Sequence, residues 1–488
     1  MPDVRYVILS DLHFGAENSV LTEVTPELVV ADPTKNAPVL LALVKCLRHL
    51  IRKNESARRP TLVLGGDMLE LALALDNVAA MVFEHFVGLT LVGRDPLFAP
   101  TIYFVPGNHD HHLWEGARER QYAEYVATVP KSRPLAGPRH TTPMLVARDE
   151  SPVEAQLLSA LVRRVARPST RRGAAPRKDP LRVQTVYPNL AFLSDDGRRG
   201  LVFHHGHYVE SIYRLMSLLN EMIFERPTAP DIEQWEAENF AWIDFFWSTL
   251  GRSGDVGLDV ATIYESLQSP GAIHNLVRDL SRGVSTHVRG PIRRRISRTL
   301  LHGLLDLVVK HVAASERRST QAPLSPDATK GLRDYLQGPL RNQLNRECNG
   351  EPPVDLTFAF GHTHKPFVDT LVLPGYAAPI RIMNTGGWVV DSLHPEPMHG
   401  AAAVLLDEEL NSVMLRFYAQ RTSAAEYRVE VLTPPGTAPT EFEQRIRSIV
   451  QADRPPWTDF SAEIARVVVE RNQDLATIID RPSRPVGT

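Results

Sequence analysis

Over the first 110 residues, short unbroken apolar runs alternate with longer stretches of helical periodicity. Residues 4–9, 61–64 and 101–105 are runs of β-formers that stop abruptly at polar or glycine-containing clusters, which predicts buried strands. Between the first two, Leu40, Leu43, Val44, Leu47, Leu50 and Ile51 recur at helical spacing, with Lys45, Arg48 and Arg52 on the other side. A second apolar helical stretch covers about 71–92, so the opening segment predicts β-α-β-α-β, with a surface loop at 16–36 around Pro26 and Pro33. Helices are expected at 116–129 and 152–166, and strands at 183–186, 190–193 and 201–204.

From 208 to 351 the strand signal vanishes. Helices are predicted at roughly 209–225, 231–250, 258–268, 272–287, 291–315 and 327–346, with Asp231 and Gln234 forming a capping box. The strand pattern resumes at 356–360, 370–373, 380–384, 401–406 and 412–418, so the helical segment reads as an insert. The expected organisation is therefore a core, first part at 1–207, with an Arg/Pro-rich loop at about 163–182. A helical insert or lid follows at 208–351, then the second part of the core at 352–432. A proline-punctuated tail at 433–488 carries short helices. The Arg/Pro-rich loop holds eight basic residues broken by Pro168, Gly173, Pro176 and Pro180, a pattern most often found in solvated loops.

Composition narrows the function. With 43% hydrophobic and 23% charged residues and a net charge of −3, there is no global electrostatic case for a nucleic-acid surface or an acidic membrane. Cys46 and Cys348 are the only cysteines and form no C-x-x-C pair, which favours a reducing compartment over a disulfide framework. No apolar stretch approaches the ~18 residues of a membrane span, and no signal pattern opens the chain. A cytoplasmic location is expected, with peripheral membrane association left open.

Chemistry gathers where strands end. The first strand runs into Ser10-Asp11-Leu12-His13, the second into Gly65-Gly66-Asp67, and the third into Gly107-Asn108-His109-Asp110. Later strands run into His204-His205-Gly206-His207 and Gly361-His362-Thr363-His364. Carboxyl ends of strands are where open α/β sheets place ligands. Oxygen and nitrogen donors without thiolate suit Mn²⁺ first, or Fe or Zn²⁺, rather than Ca²⁺ or a Cys-rich structural zinc. The donors are too many for one ion. Two ions ~3.5–4 Å apart sharing a carboxylate would use them all, and such a pair acidifies a water and neutralises a phosphoryl group.

The ordered series D-x-H, G-D, G-N-H-D, H-G-H and G-H-x-H resembles the calcineurin-like metallophosphoesterases, over about 1–110, 183–207 and 355–390. The resemblance implies a four-layer α/β/β/α sandwich carrying an inserted all-helical subdomain. It implies that Asp11, His13 and His364 hold one metal ion, that Asp67 bridges, and that Asn108, His205 and His362 hold the second. A metal-bridging hydroxide would be the nucleophile and His109 the general acid, oriented by Asp110. The family pattern selects His205 over His204; His207 either touches substrate or lines the site. Ser10-Asp11-Leu12-His13 and the G-D-x-x-E form from Gly66 to Glu70 resemble the branch that hydrolyses UDP-diacylglucosamine, whose helical lid occupies the same place. Here the lid is far longer and H-G-D gives way to His205-Gly206-His207, so the resemblance implies lid-gated access rather than that substrate.

The expected substrate is a phosphorylated small molecule or a lipid- or nucleotide-linked one, cleaved as a monoester, a diester or a pyrophosphate. The alternative of a different class is a metal-binding scaffold without catalysis, which loss of the G-N-H-D histidine would have favoured; His109 is present. Both flanks of the insert being candidate ligands, it is expected to begin and end at the rim of the site. Its aromatics, Trp235, Phe240, Trp242, Phe245, Phe246 and Trp247, predict an internal core or a homo-oligomer contact, with an apolar substrate groove as the other reading.

Overall fold

The computed structural model describes residues 1–25, 29–146, 153–167, 181–214, 216–217, 220, 231–244, 322–434 and 436–479. Most of the Arg/Pro-rich loop, the helices expected at 258–268, 272–287 and 291–315, and Phe245, Phe246 and Trp247 lie outside these residues.

The opening β-α-β-α-β unit forms as β1 (Tyr6–Leu9), α1 (Pro38–Ile51), β4 (Thr61–Leu64), α2 (Asp76–Thr90) and β5 (Thr101–Phe104), with β1, β4 and β5 pairing in parallel. Side chains alternate between the two faces of a strand, and here both faces are buried. Val7 and Leu9 join one apolar cluster and Ile8 another; Leu62 and Leu64 are likewise separated from Val63. Burial on both faces is why these strands read as continuous apolar runs rather than alternating ones.

An antiparallel hairpin of β2 (Val24–Thr25) and β3 (Val30–Ala31) lies in the segment expected to be a surface loop. That expectation is wrong for its first half: Ser19, Val20, Leu21 and Thr22 are fully buried. Arg471, from a helix at the far end of the chain, donates to the backbone carbonyls of Ser19 (3.4 Å) and Thr22 (2.7 Å).

Two mixed sheets organise the rest. The larger adds β6 (Val153–Glu154), β7 (Arg182–Thr185), β13 (Gly400–Leu406), β14 (Ser412–Ala419) and β15 (Glu430–Leu432), in the order β15-β14-β13-β1-β4-β5-β7-β6. The smaller has the order β11-β12-β10-β9-β8, with β8 (Asn189–Leu193), β9 (Arg199–His204), β10 (Asp355–Phe360), β11 (Phe367–Leu371) and β12 (Ile380–Asn384). Ile8, Val63, Val105 and Val404 of the larger sheet meet Leu201, Phe203, Ala359 and Met383 of the smaller in one cluster. The other face of the larger sheet packs on α1, α2, α4 (Gln156–Ala166), α8 (Glu441–Ile449) and α9 (Trp457–Ile479), while α3 (His112–Thr128) leads away from the end of β5. The other face of the smaller sheet buries Val202, Phe358, Phe360 and Ile382 against insert residues including Trp235, Leu332, Leu336 and Leu340.

The tail differs from its expectation of short helices: α9 runs 23 residues. Trp457, Phe460, Ile464 and Val468 are buried from it into the core of the larger sheet, and Trp457 packs edge-on against His49 of α1. All the tail's prolines before position 457 precede this helix, so nothing interrupts it. No described helix is long and apolar enough to cross a membrane.

The insert departs from its prediction at both ends. The helix expected from 209 starts later: two single 3₁₀ turns, His207–Val209 and Ser211–Arg214, flank an extended Glu210, and the described residues 216, 217 and 220 beyond them are helical. The helix expected at 231–250 is α5 (Ile232–Ile243) as far as the described residues go, and Asp231 caps it by accepting from the Gln234 amide at 2.9 Å. The last predicted helix is α6 (Pro326–Tyr335), a wider turn at Leu336–Leu340 around Pro339, then α7 (Arg341–Glu347). Proline has no N–H to give and crowds the preceding turn, which accounts for the widening there.

The insert's return point is also corrected. β9 and β10 run parallel, with Arg199 opposite Asp355 and His204 opposite Phe360. The chain leaves β9 at the His204 end but re-enters β10 at the Asp355 end, a full strand length away. The insert is the crossover that parallel neighbours require, so of its two ends the start, and not the return, lies beside the strand ends that carry the candidate ligands.

Candidate metal centre

Each predicted site residue follows a strand, and the backbone there is unusual. Asp11, His13, Asp67, His362 and His364 all adopt positive φ, between 45° and 69°. They are five of the eight non-glycine residues in that region among the described residues. Such conformations cost on the order of 1–3 kcal/mol each and persist where the surroundings impose them, most often at functional sites. Two glycines permit the crowding: a Cβ at Gly107 would run into Asp67, and one at Gly361 into the Asp11 carboxylate.

The loops so formed bring the side chains into one buried cluster. His13, Asp11 and His364 form one group whose ligand atoms all lie within 4.8 Å of one another, and Asp67, His205 and His362 form another. Asp67 faces both sets. Its Oδ1 accepts from the His109 amide at 2.8 Å. Its Oδ2 has His205 Nε2 at 3.3 Å, His13 Nε2 at 3.8 Å and His109 Nε2 at 4.0 Å, yet takes part in no hydrogen bond. Asn108 Oδ1 lies 3.0 Å from His205 Nε2, beside the second set.

Imidazole orientation is set from outside the cluster. Glu70 bonds His13 Nδ1 through Oε2 and His109 Nδ1 through Oε1, both at 2.8 Å. Asp391 bonds His364 Nδ1 at 2.6 Å, and His205 Nδ1 lies 3.2 Å from the Gly65 carbonyl. With Nδ1 engaged in each case, Nε2 is the ring nitrogen that faces the cluster, and once deprotonated it offers the lone pair a metal ligand needs. His362 differs: its Nε2 lies 3.0 Å from Glu210 Oε1 as a charge pair rather than a hydrogen bond.

The role expected of Asp110 is corrected here. Its two oxygens accept from the backbone amides of Gly107 (2.7 Å) and Met68 (2.9 Å), which ties the loops after β4 and β5 together. The group that orients His109 is Glu70, and sequence reasoning missed it in that capacity, as it missed Asp391 and Glu210. The G-D-x-x-E spacing was a signal for Glu70; no motif marks the other two. His204, set aside in favour of His205, turns its ring toward Tyr335 at 4.9 Å and accepts from the Gly206 amide. His207 is fully buried, with its ring 4.3 Å from Tyr208 and 5.8 Å from His205, and belongs to none of the metal-compatible groups. It lines the cluster rather than joining it.

Electrostatics complete the picture. Burial, with Asp67 nearby, pushes the Asp11 carboxyl up to about 6, and burial with Asp67 does the same to Asp110. Burial alone would lower His205, but the Asp67, Asp11 and Asp110 carboxylates raise it to about 9. Asp67 itself is held well below the ordinary carboxylate range, because His205 and His109 outweigh its burial. A negative cluster this deep calls for positive charge, and its donors are oxygen and imidazole nitrogen only. The buried, unbonded Asp67 Oδ2 and His13 Nε2 fit cation ligation.

The insert aromatics within the described residues pack inward. Trp235 stacks on Tyr335 and lies near Tyr208, Phe240 contacts His111, and the Trp242 indole donates to the Ile212 carbonyl at 2.9 Å. Trp235 and Trp242 pack where the insert meets the smaller sheet, whereas Phe240 packs outside the insert, in a small cluster with Trp114, Ala117 and Tyr187. No protein-family model matches the chain, and no curated protein does.

Proposed function

We propose that the protein is a dinuclear-metal-dependent hydrolase of phosphoester bonds, built as a four-layer α/β/β/α sandwich of the metallophosphoesterase kind. The observation that carries this reading is Asp67 Oδ2, a buried carboxylate oxygen facing three imidazole nitrogens and standing between two groups of potential ligands. Asp11, His13 and His364 would hold one ion, Asn108, His205 and His362 the other, with Asp67 shared. Bound there, two ions would supply an activated water and neutralise charge at phosphorus. The chain's own contribution is to orient the imidazoles through Glu70 and Asp391 and to place His109 at the cluster. In this reading His109 delivers the proton to the leaving oxygen.

Protein purified without chelator should carry about two transition-metal ions per chain and hydrolyse chromogenic phosphoesters when Mn²⁺ is supplied. The panel should include monoesters, diesters and pyrophosphates, since the preferred class identifies the substrate type. Absence of both bound metal and Mn²⁺-dependent turnover overturns the proposal.

Metal affinity should depend on pH with a definite sign. In the metal-free cluster His205 titrates at about 9, so below that pH a cation must displace its proton. Affinity should therefore rise from pH 6 to 9, and fall more steeply below about 6, where Asp11 and Asp110 also take up protons. Calorimetric titration with Mn²⁺ in buffers of different ionisation enthalpy should show proton release near neutral pH. An affinity that is flat across this range contradicts the assignment of His205 as a ligand.

A further inference from the structure

The imidazoles of the cluster are backed by carboxylates from two sources. Glu70 and Asp391 come from loops of the two-sheet core, whereas Glu210, beside His362, is supplied by the insert. Glu210 lies between the turns His207–Val209 and Ser211–Arg214, with extended backbone at φ −91° and ψ 135°. Its position is set by α6. Asp327, at the start of that helix, accepts from the Ser211 hydroxyl at 2.8 Å and from the Ser211 amide at 3.4 Å. Arg214 lies 3.6 Å from Asp334, and Gly331 sits so close to the Val209 carbonyl that a Cβ there would collide with it. The Tyr213 ring meets His362 edge-on at 5.1 Å.

We propose that Glu210 is a positioning residue for His362, so that docking of the insert through α6 sets how tightly the second ion is held. This rests on the two-ion reading above and adds to it the dependence of one ion on the insert. The physical ground is that a carboxylate 3.0 Å from one ring nitrogen draws positive charge onto the imidazole, which restrains its orientation and makes it more basic toward a metal. The Asp11–His13–His364 set depends only on core carboxylates, so the first ion should be indifferent to the insert. The second should not.

Mn²⁺ titration of the full chain, followed by calorimetry and by the electron paramagnetic signal of free Mn²⁺, tests this. Glu210→Ala should weaken one of the two binding events by about 10–100-fold, the usual cost of losing an outer-shell partner, and leave the other unchanged. Glu210→Gln keeps an acceptor oxygen and should recover most of the loss. Asp327→Ala, which touches no ligand, should weaken the same event in the same direction. With Co²⁺ in place of Mn²⁺, the visible absorption of the second ion should change in Glu210→Ala and that of the first should not. Glu210→Ala binding both ions with wild-type affinity overturns the proposal while the two-ion reading stands. A wild-type protein that binds fewer than two ions overturns both. If Glu210→Ala does not fold, Glu210→Gln and Asp327→Ala decide: unchanged affinity in Asp327→Ala overturns the coupling to the insert.

Discussion

Replacing Asp67 with alanine should leave the purified protein with well under one bound ion per chain, where the wild type is expected to carry about two. Asp67 faces both groups: His205 and His13, which belong to different sets, approach the same Oδ2 at 3.3 and 3.8 Å. Loss of an outer partner costs about 10–100-fold in metal affinity or activity, so removal of a shared ligand should exceed ~100-fold in turnover. Asp67 also has a structural duty, since its Oδ1 accepts the His109 amide. Asp67→Asn separates the two effects. It keeps an acceptor for that amide while removing the charge, so it should remain folded by circular dichroism and still lose metal. An Asp67→Asn protein that retains two ions and wild-type turnover would mean the bridge has been misassigned.

The strands and their terminal motifs were legible because both sheets are buried on both faces near the site. Runs such as Val7-Ile8-Leu9 and Leu62-Val63-Leu64 carry no polar interruption until the chain reaches the ligand loops. What was illegible lies in relations between loops. Asp110 follows His109 directly and was the natural partner for it, but neighbours in a tight turn point apart, and Asp110 turns to the Gly107 and Met68 amides. Glu70, 39 positions away, is the residue that reaches the ring. Asp391 and Glu210 are brought in by segments without any motif. The insert's return point is hidden for a related reason: closeness in sequence to His362 is not closeness in space when a whole parallel strand intervenes. In the tail, prolines on both sides mask a helical signal carried by Trp457, Phe460, Ile464 and Val468, spaced as one buried face.

His109→Ala should keep both ions while kcat falls by ~10²–10⁴-fold, the range for a positioned acid–base group. The geometry gives two readings of this residue. With Glu70, His13 and His109 form a third metal-compatible group, which would make His109 a ligand. Against that, Glu70 spends Oε2 on His13 Nδ1 and Oε1 on His109 Nδ1, and Oε1 also accepts from the Leu73 amide at 2.9 Å. A carboxylate so engaged orients two imidazoles and has little left for an ion. In the proposed reading His109 Nε2, 4.0 Å from Asp67 Oδ2, serves the leaving group rather than an ion. The acid role predicts a dependence on leaving group: the loss in His109→Ala should shrink for a nitrophenyl ester, whose departing oxygen needs no proton, and be largest for an alkyl ester. Glu70→Ala should combine two defects, because it releases His13 as well, and so should lose metal affinity along with turnover. If His109→Ala itself loses an ion, or slows nitrophenyl and alkyl esters equally, the residue is a ligand and the proton must come from elsewhere.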